Sequence, residues 1–314
     1  MYLIYLMILL QILLVVTLVP FQTQAASATY SNIFWQPGAG KNGIVGGITQ
    51  SLIKAKYSGS FVGAPLSGDF TSNGTTLGIN YHRGLTDLFD VGLGTGWGTS
   101  SSNSKLNFLG TTTESTTKYE GMNNISLFFN GRGAFGAGNA FYYGVTFSIS
   151  PADKTRDIAA EKYNNFSGGQ STTPYLGVHF SMGSGIFVGG GANYSLPGER
   201  KTKNSNPNSE TTTTGGNALA LLAFVEFPSV SWRPTLQLGY SKPEKTTSTT
   251  GTTTTDSNGI GIMTAQFSGE LNVGTGFDFL PGIAYATVSE KNYGTITYDS
   301  FDFFFLTLSA RCVF

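Results

Sequence analysis

The chain contains 314 residues, of which 42 are glycine and 13% are aromatic, while only 11% are charged. Soluble domains usually carry about 25% charged residues, and disordered chains are much less apolar than this one. Eighteen basic and eighteen acidic side chains cancel, which argues against a nucleic-acid partner. The single Cys312 excludes a disulfide framework, and with only two histidines we predict neither a metal site nor a cofactor.

The chain begins with the apolar run MYLIYLMILLQILLVVTLV, which is followed by Pro20 and by the small residues Ala26-Ser27-Ala28. Small residues at this spacing are typical of a cleavage site, so residues 1–28 are predicted to be a secretory signal peptide. No basic residue precedes Lys41, which departs from the usual pattern. The alternative is an N-terminal transmembrane anchor.

The segment 29–42 follows the predicted signal peptide and precedes the first predicted strand. It contains Phe34 and Trp35, which are large apolar side chains that serve no strand. The segment could plug a lumen or contact a partner, and the alternative is a disordered tail.

From residue 44 onward, apolar residues recur at every second position, which is typical of strands with one apolar face. The run Phe89-Val91-Leu93-Thr95-Trp97, for example, alternates with Asp90 and four glycines. Less regular strands are predicted near 44–57, 259–269 and 280–288, which brings the total to twelve, with ten or fourteen as alternatives.

Short and long connections alternate strictly between the predicted strands. The long ones are polar, rich in Ser and Thr, and lie at 58–70, 99–121, 150–172, 195–216, 241–257 and 290–299. This alternation predicts an all-β fold, a transmembrane antiparallel up-and-down β-barrel over residues 43–314, in a bacterial outer membrane. Both termini and the short turns are then expected in the periplasm, and the long loops outside the cell.

The C-terminal strand is predicted to turn Phe304, Leu306, Leu308, Ala310, Cys312 and Phe314 toward the lipid. This ending resembles the C-terminal signal of bacterial outer-membrane barrels. The resemblance implies that the barrel-assembly machinery recognises Phe314.

A second resemblance lies in the run Tyr81-His82-Arg83-Gly84-Leu85-Thr86-Asp87-Leu88-Phe89-Asp90-Val91-Gly92. It is similar to the strand–turn–strand element Y-x-x-G-L-T-D-x-x-D-V-G of small transporter-like barrels, including those linked to phenol-degradation pathways. The resemblance covers about a dozen residues and implies a barrel with a short turn there. It implies little about a substrate.

Strand parity predicts a group of charged and imidazole side chains that point into the lumen near the short-turn end. Mixed signs favour a network that braces or closes the lumen floor, and the alternative is a constriction that filters solutes. Lys54 and Lys56 are predicted to point inward at the outer mouth. Phe128, Phe301, Phe303 and Phe305 are also predicted to point inward. The floor group consists of His82, Asp90, Arg132, His179, Glu226 and Arg311.

The run His179-Phe180-Ser181, together with Asn193, suggests a hydrolase of the outer-membrane phospholipase kind. In such a site the histidine acts as general base, the serine as nucleophile and the asparagine as the orienting group. Parity places His179 and Ser181 in the lumen beside a short turn, where no acyl chain lies. A catalytic role is therefore the less favoured hypothesis, and no enzyme is predicted.

Three functions remain after these exclusions. The favoured one is passive or facilitated passage of a small solute through a narrow, weakly selective lumen. The second is a non-conducting barrel that binds a surface or assembly partner through its long loops or N-terminal segment. The third is the lipid hydrolase. Outer-membrane lipids and, through Phe314, the assembly machinery are expected partners in all three cases.

Overall fold

A computed structural model describes residues 31–61, 63–157, 160–182, 185–205, 208–228, 231–289, 292–293 and 296–314, and the predicted signal peptide lies outside these ranges. Among these residues, one short 3-10 helix, Asn32–Phe34, precedes the first strand. The strands are β1 (Asn42–Phe61), β2 (Ala64–Gly84), β3 (Phe89–Phe108), β4 (Thr111–Met122), β5 (Ile125–Ala134), β6 (Ala140–Ile149), β7 (Lys154–Asp157), β8 (Lys162–Tyr163), β9 (Gln170–Ser181), β10 (Phe187–Pro197), β11 (Arg200–Ser205), β12 (Asn208–Gly215), β13 (Ala218–Glu226), β14 (Trp232–Pro243), β15 (Thr246–Thr250), β16 (Thr253–Ser257), β17 (Ile262–Gly274), β18 (Phe277–Val288), β19 (Asn292–Tyr293) and β20 (Ile296–Val313).

Twelve of the described strands form a closed antiparallel barrel. They are β1, β2, β3, β5, β6, β9, β10, β13, β14, β17, β18 and β20, each paired with its neighbours in this order. β20 closes the ring on β1, with Gly43 opposite Val313. The predicted number of strands is therefore confirmed, as is the fold class. Closure leaves no open sheet edge, as a strand protein in hydrocarbon requires.

The distribution of apolar and polar side chains is the reverse of that in a soluble protein. Large apolar side chains such as Ile79, Leu176 and Leu238 are more than half exposed on the outer face. Asp90 and Glu226 are by contrast fully buried inside. This distribution is the one expected when lipid surrounds the barrel and the interior is polar. Within the described ranges, no helix is long and apolar enough to cross a membrane.

The long connections contain strands, although the sequence analysis treated them as loops. β3 and β4 form a hairpin that turns at Leu109 and Gly110, and β11 with β12 forms a second one. β7 and β8 link the two hairpins, since β8 pairs with β4 and β7 pairs with β11. The outer sheet β4–β8–β7–β11–β12–β15–β16 therefore continues beyond the barrel. Threonine-rich segments were interpreted as loops because of their polarity, but β-branched threonine fits a strand well.

The predicted orientation of Lys54 and Lys56 is wrong. Both side chains are exposed, and the register of β1 places them on the same outer face as Ile48, which is 40% exposed. The alternation of residues in β1 does not reveal which face points inward, because both faces carry apolar residues. Val45 faces inward and lines a cavity that Ile33 of the N-terminal segment also lines.

The two ends of the described barrel meet at the short-turn end. The amide of Asn42 donates to the carbonyl of Phe314 at 2.8 Å, and the amide of Phe314 donates back at 3.0 Å. Phe304 and Phe314 are exposed on the outer face, as predicted for the lipid-facing side of β20. Recognition of Phe314 by the assembly machinery stays a prediction.

Candidate functional site

Residues 31–41 of the N-terminal segment, which we call the lumen segment, run from the interior of the lumen at Ser31 to the short-turn end, where residues 39–41 are exposed. Ser31, Gln36 and Pro37 are buried. A buried chain must satisfy its backbone polar groups, and the barrel wall supplies partners for several of them. Of the three interpretations of this segment, namely a plug, a partner contact and a disordered tail, the fold therefore supports the plug.

Ser31 anchors one end of the lumen segment. Its amide donates to the hydroxyl of Tyr142 at 2.7 Å, and its hydroxyl donates to Oε2 of Glu226 at 2.7 Å. Oε1 of Glu226 forms an ion pair with Nη2 of Arg233 at 2.6 Å. The Tyr142 hydroxyl also contacts Nδ1 of His179 at 2.7 Å. Four barrel side chains are therefore coupled to one serine of the segment.

Phe34 fills the space above this anchor. Its ring stacks on Tyr142 with the centroids 4.3 Å apart, and it meets Phe224 edge-on at 6.0 Å. A side chain at Gly177 would collide with the Phe34 ring. The absence of a side chain at this lumen-facing glycine therefore makes room for the segment.

Trp35 lies between two further ionic groups of the lumen floor, one around Arg311 and one around Asp90. Its ring packs against the guanidinium of Arg311 at 4.6 Å and against the imidazole of His82 at 5.7 Å. Arg311 also forms ion pairs with Glu270 at 2.8 Å and Asp278 at 2.7 Å. Cation–π contact adds to these pairs because the site is shielded from water.

The second ionic group is centred on Asp90. Nδ1 of His82 contacts Oδ2 of Asp90 at 2.8 Å, and the side-chain amide of Asn130 donates from Nδ2 to the same oxygen at 3.3 Å. The hydroxyl of Tyr175 donates to Oδ1 of Asn130 at 3.1 Å, so the hydrogen-bond network continues to β9. His82 also stacks on Phe128 at 5.5 Å.

The short turn between β2 and β3 holds the other end of the lumen segment. The amide of Gly40 donates to the carbonyl of Gly84, and the amide of Gly84 donates to the carbonyl of Lys41, both at 2.9 Å. The amide of Ala39 donates to Oδ1 of Asp87 at 3.1 Å. A side chain at Gly84 would collide with the carbonyl of Gly38. Positions of the Y-x-x-G-L-T-D element therefore contact the segment in addition to forming a turn.

The structure gathers five of the six predicted floor residues around the lumen segment and its anchors: His82, Asp90, His179, Glu226 and Arg311. Arg132 lies at the edge of the floor, where its Nε donates to the carbonyl of Asp87 at 2.9 Å. Arg233, Glu270 and Asp278 also belong to the floor but were not among the predicted residues. Parity along β17 and β18 could have placed the two acids inside, whereas Arg233 is the second residue of β14, where too little of the strand precedes it to reveal a period.

The hydrolase constellation is not assembled. Asn193 lies opposite Tyr175, four residues along β9 from His179, which corresponds to about 13 Å. Both ring nitrogens of His179 are engaged, Nδ1 by Tyr142 and Nε2 by the carbonyl of Gly138 at 2.9 Å. The imidazole is therefore a structural group. In the described part of the chain, no three His, Cys, Asp or Glu side chains could together hold a metal ion.

Two cavities flank the lumen segment, and Ile33 lines both. The first, of about 350 Å³, lies beside Phe34 and Trp35 and is bounded by Tyr175 and Asn193. The second, of about 260 Å³, is lined by residues of five neighbouring strands, and half of its lining residues have polar side chains. Those that point into it include Thr235, Gln237, Gln266, Ser268, Thr307 and Ser309.

No protein-family model and no curated protein match the sequence. Solved structures do match. A COG4313 outer membrane channel from Pseudomonas putida F1 superimposes with a TM-score of 0.61 at 12% identity, over 91% of this chain and 99% of that one. The transport unit of the autotransporter AIDA-I from Escherichia coli gives 0.48 at 11% identity, over 85% and 90%. The CymD monoaromatic hydrocarbon channel gives 0.45 at 8% identity, over 89% of each chain.

At these identities the likeness concerns the fold. The closed ring of twelve strands, its apolar outer belt and its polar interior agree with the similarity to the channel from Pseudomonas putida. The chain has the fold of a bacterial outer-membrane β-barrel, with a segment of its own N-terminal region inside the lumen.

Proposed function

We propose that the protein is an outer-membrane channel that admits small solutes through a lumen narrowed by residues 31–41. The observation that carries this proposal is the lumen segment, which is bound to the wall at both ends and leaves cavities at its sides. Both termini of the described barrel then lie in the periplasm and the outer sheet lies outside the cell. The similar channel from Pseudomonas putida supports this assignment only through the shared fold.

The solute path follows the polar cavity. Hydroxyl and amide groups of β14, β17 and β20 line it, and they can replace the water around a small polar solute. The cavity of about 350 Å³ on the opposite side of the lumen segment is lined mainly by apolar and aromatic residues, including Phe34, which stacks on Tyr142. The polar cavity has a volume of about 260 Å³, which suits a small solute.

Cysteine accessibility in planar bilayers tests this path. Ser268→Cys and Ser309→Cys are made in a Cys312→Ser background, and current is recorded while a charged thiol reagent is added. We expect the current to fall, because both positions line the polar cavity. Leu238→Cys, on the outer face of β14, is the control and should leave the current unchanged. A current that neither lumen substitution makes sensitive would contradict the proposed path.

A non-conducting interaction scaffold is the second candidate. The outer sheet favours it, because β16 has an exposed face and only β15 as a partner among the described strands. Such an edge can pair with an incoming strand. A folded protein that never conducts would favour this second function over the first.

A further inference from the structure

Five side chains of the outer sheet form a cationic and aromatic group, which we call the mouth cluster. The rings of Tyr119 and Tyr163 stack with their centroids 4.7 Å apart. The ammonium of Lys154 lies 5.3 Å and 5.9 Å from these two rings, and the guanidinium of Arg156 lies 5.1 Å from Tyr163. Arg200 completes the group, because it points to the same face of β11 as Thr202, which lies opposite Lys154.

The mouth cluster lies on the face of the outer sheet that continues the lumen wall. Gly92 and Gly94 of β3 face His82 and Phe128 in the lumen, so even-numbered positions of this strand point inward. Ser100 is one of them, and Tyr119 of β4 lies opposite it. Tyr163 pairs beside Tyr119, and Arg156 pairs beside Tyr163. The cluster therefore faces the space through which a solute would enter.

The cations of the mouth cluster differ from lysines on the opposite face of the outer sheet that form ion pairs with carboxylates. On the opposite face of the outer sheet, Lys162 pairs with Glu120 at 3.0 Å and Lys203 pairs with Asp153 at 2.8 Å. Among the described residues, Lys154, Arg156 and Arg200 have no carboxylate within ion-pair distance. The negative counterpart of three clustered positive charges is therefore missing from the described wall.

The mouth cluster also contains a hydrogen-bond donor, on Arg200, that has no acceptor in the described structure. Nη2 of Arg200 donates to the carbonyl of Gly215 at 3.1 Å, whereas its buried Nε has no acceptor. Burial and the nearby Arg200 lower the pKa of the Lys154 ammonium. An anion bound between them would offset this repulsion, and fixed cations with free donors are what recognition of a carboxylate or phosphate requires.

We propose that the mouth cluster binds the carboxylate or phosphate group of a small dissolved anion at the entrance of the lumen. This inference rests on the proposed channel function and names the charge of the solute that the channel admits. It departs from the weak selectivity expected from the sequence, because the mixed charges of the floor are paired with one another while those of the mouth are not.

Titration of inorganic phosphate into the protein in an uncharged detergent, followed by calorimetry, tests the site. We expect saturable binding that Lys154→Gln and Arg200→Gln each weaken about tenfold, the loss typical of one charge-assisted contact. Lys118→Gln is the matched control. Lys118 precedes Tyr119 on β4 and is exposed on the opposite face, so the same change of charge should leave the affinity unchanged.

Three outcomes would overturn the inference. They are no phosphate binding by the folded protein, equal weakening by Lys118→Gln and Lys154→Gln, and displacement of phosphate by stoichiometric lipopolysaccharide, which would assign the cluster to lipid phosphates. Single-channel current measured in parallel separates this site from the channel itself. A protein that binds phosphate without conducting contradicts only the proposed function, and one that conducts without binding contradicts only the anion site.

Discussion

Single glycines decide whether the lumen segment fits. A Cβ atom added at Gly84 would collide with the carbonyl oxygen of Gly38. A backbone carbonyl cannot turn away as the end of a flexible side chain could. We expect Gly84→Ala to displace the segment and to raise single-channel conductance severalfold. Gly78→Ala is the control on the same strand and the same face, because nothing lies within 4 Å of the added methyl group. Equal conductance of the two variants would show that the segment does not occlude the channel.

Glu226 is the residue on which most of the anchor depends. It accepts from Ser31 and pairs with Arg233, and it is fully buried. We expect Glu226→Gln to lower the free energy of unfolding by about 1–3 kcal/mol, because Arg233 loses its charged partner but keeps some exposure to water. Chemical denaturation of the refolded barrel measures this loss.

The control for this prediction is Lys162→Gln in the outer sheet. Lys162 and Glu120 are both about half exposed, so their ion pair contributes only about 0–1 kcal/mol. An equal loss of stability in the two variants would contradict the structural role assigned to Glu226.

At the scale of elements, the β15–β16 hairpin is separable from the barrel. β15 pairs only with β12 and β16, and among the described pairings neither β15 nor β16 pairs with a strand of the twelve-stranded ring. We expect replacement of residues 246–257 by a short Gly-Ser turn to leave folding and conductance unchanged. Heat-modifiable migration on a gel reports folding, and bilayer recording reports conductance. A lost current would mean that the hairpin forms part of the pore.

Most barrel strands could be predicted because their period of two reflects lipid outside and polar groups inside. β1 could be predicted only in part, since its inner face packs on the lumen segment and therefore also carries apolar residues such as Val45. The outer strands were missed because a Thr- and Ser-rich hairpin in water has no apolar face to reveal its period. His82, Asp90 and Glu226 followed from parity, whereas Arg233 and the contacts of Ser31 depend on a chain path that no local pattern encodes.

At the scale of the whole molecule, the protein is a closed ring whose interior is filled at one end by its own N-terminal region. The wall ties this region down by backbone bonds at Gly84, by the serine anchor at Ser31 and by aromatic packing of Phe34 and Trp35. The strands provide the membrane-spanning scaffold. In the proposed channel, the lumen segment sets the width of the passage.

The most direct test of this account is single-channel conductance of the protein with and without residues 31–41, recorded in planar bilayers after heat-modifiable migration has shown that both barrels are folded. We expect small, stable openings for the intact protein and a conductance several times larger for the shortened one. Identical conductance, or silence of both folded barrels, would contradict the claim that the lumen segment narrows a working channel.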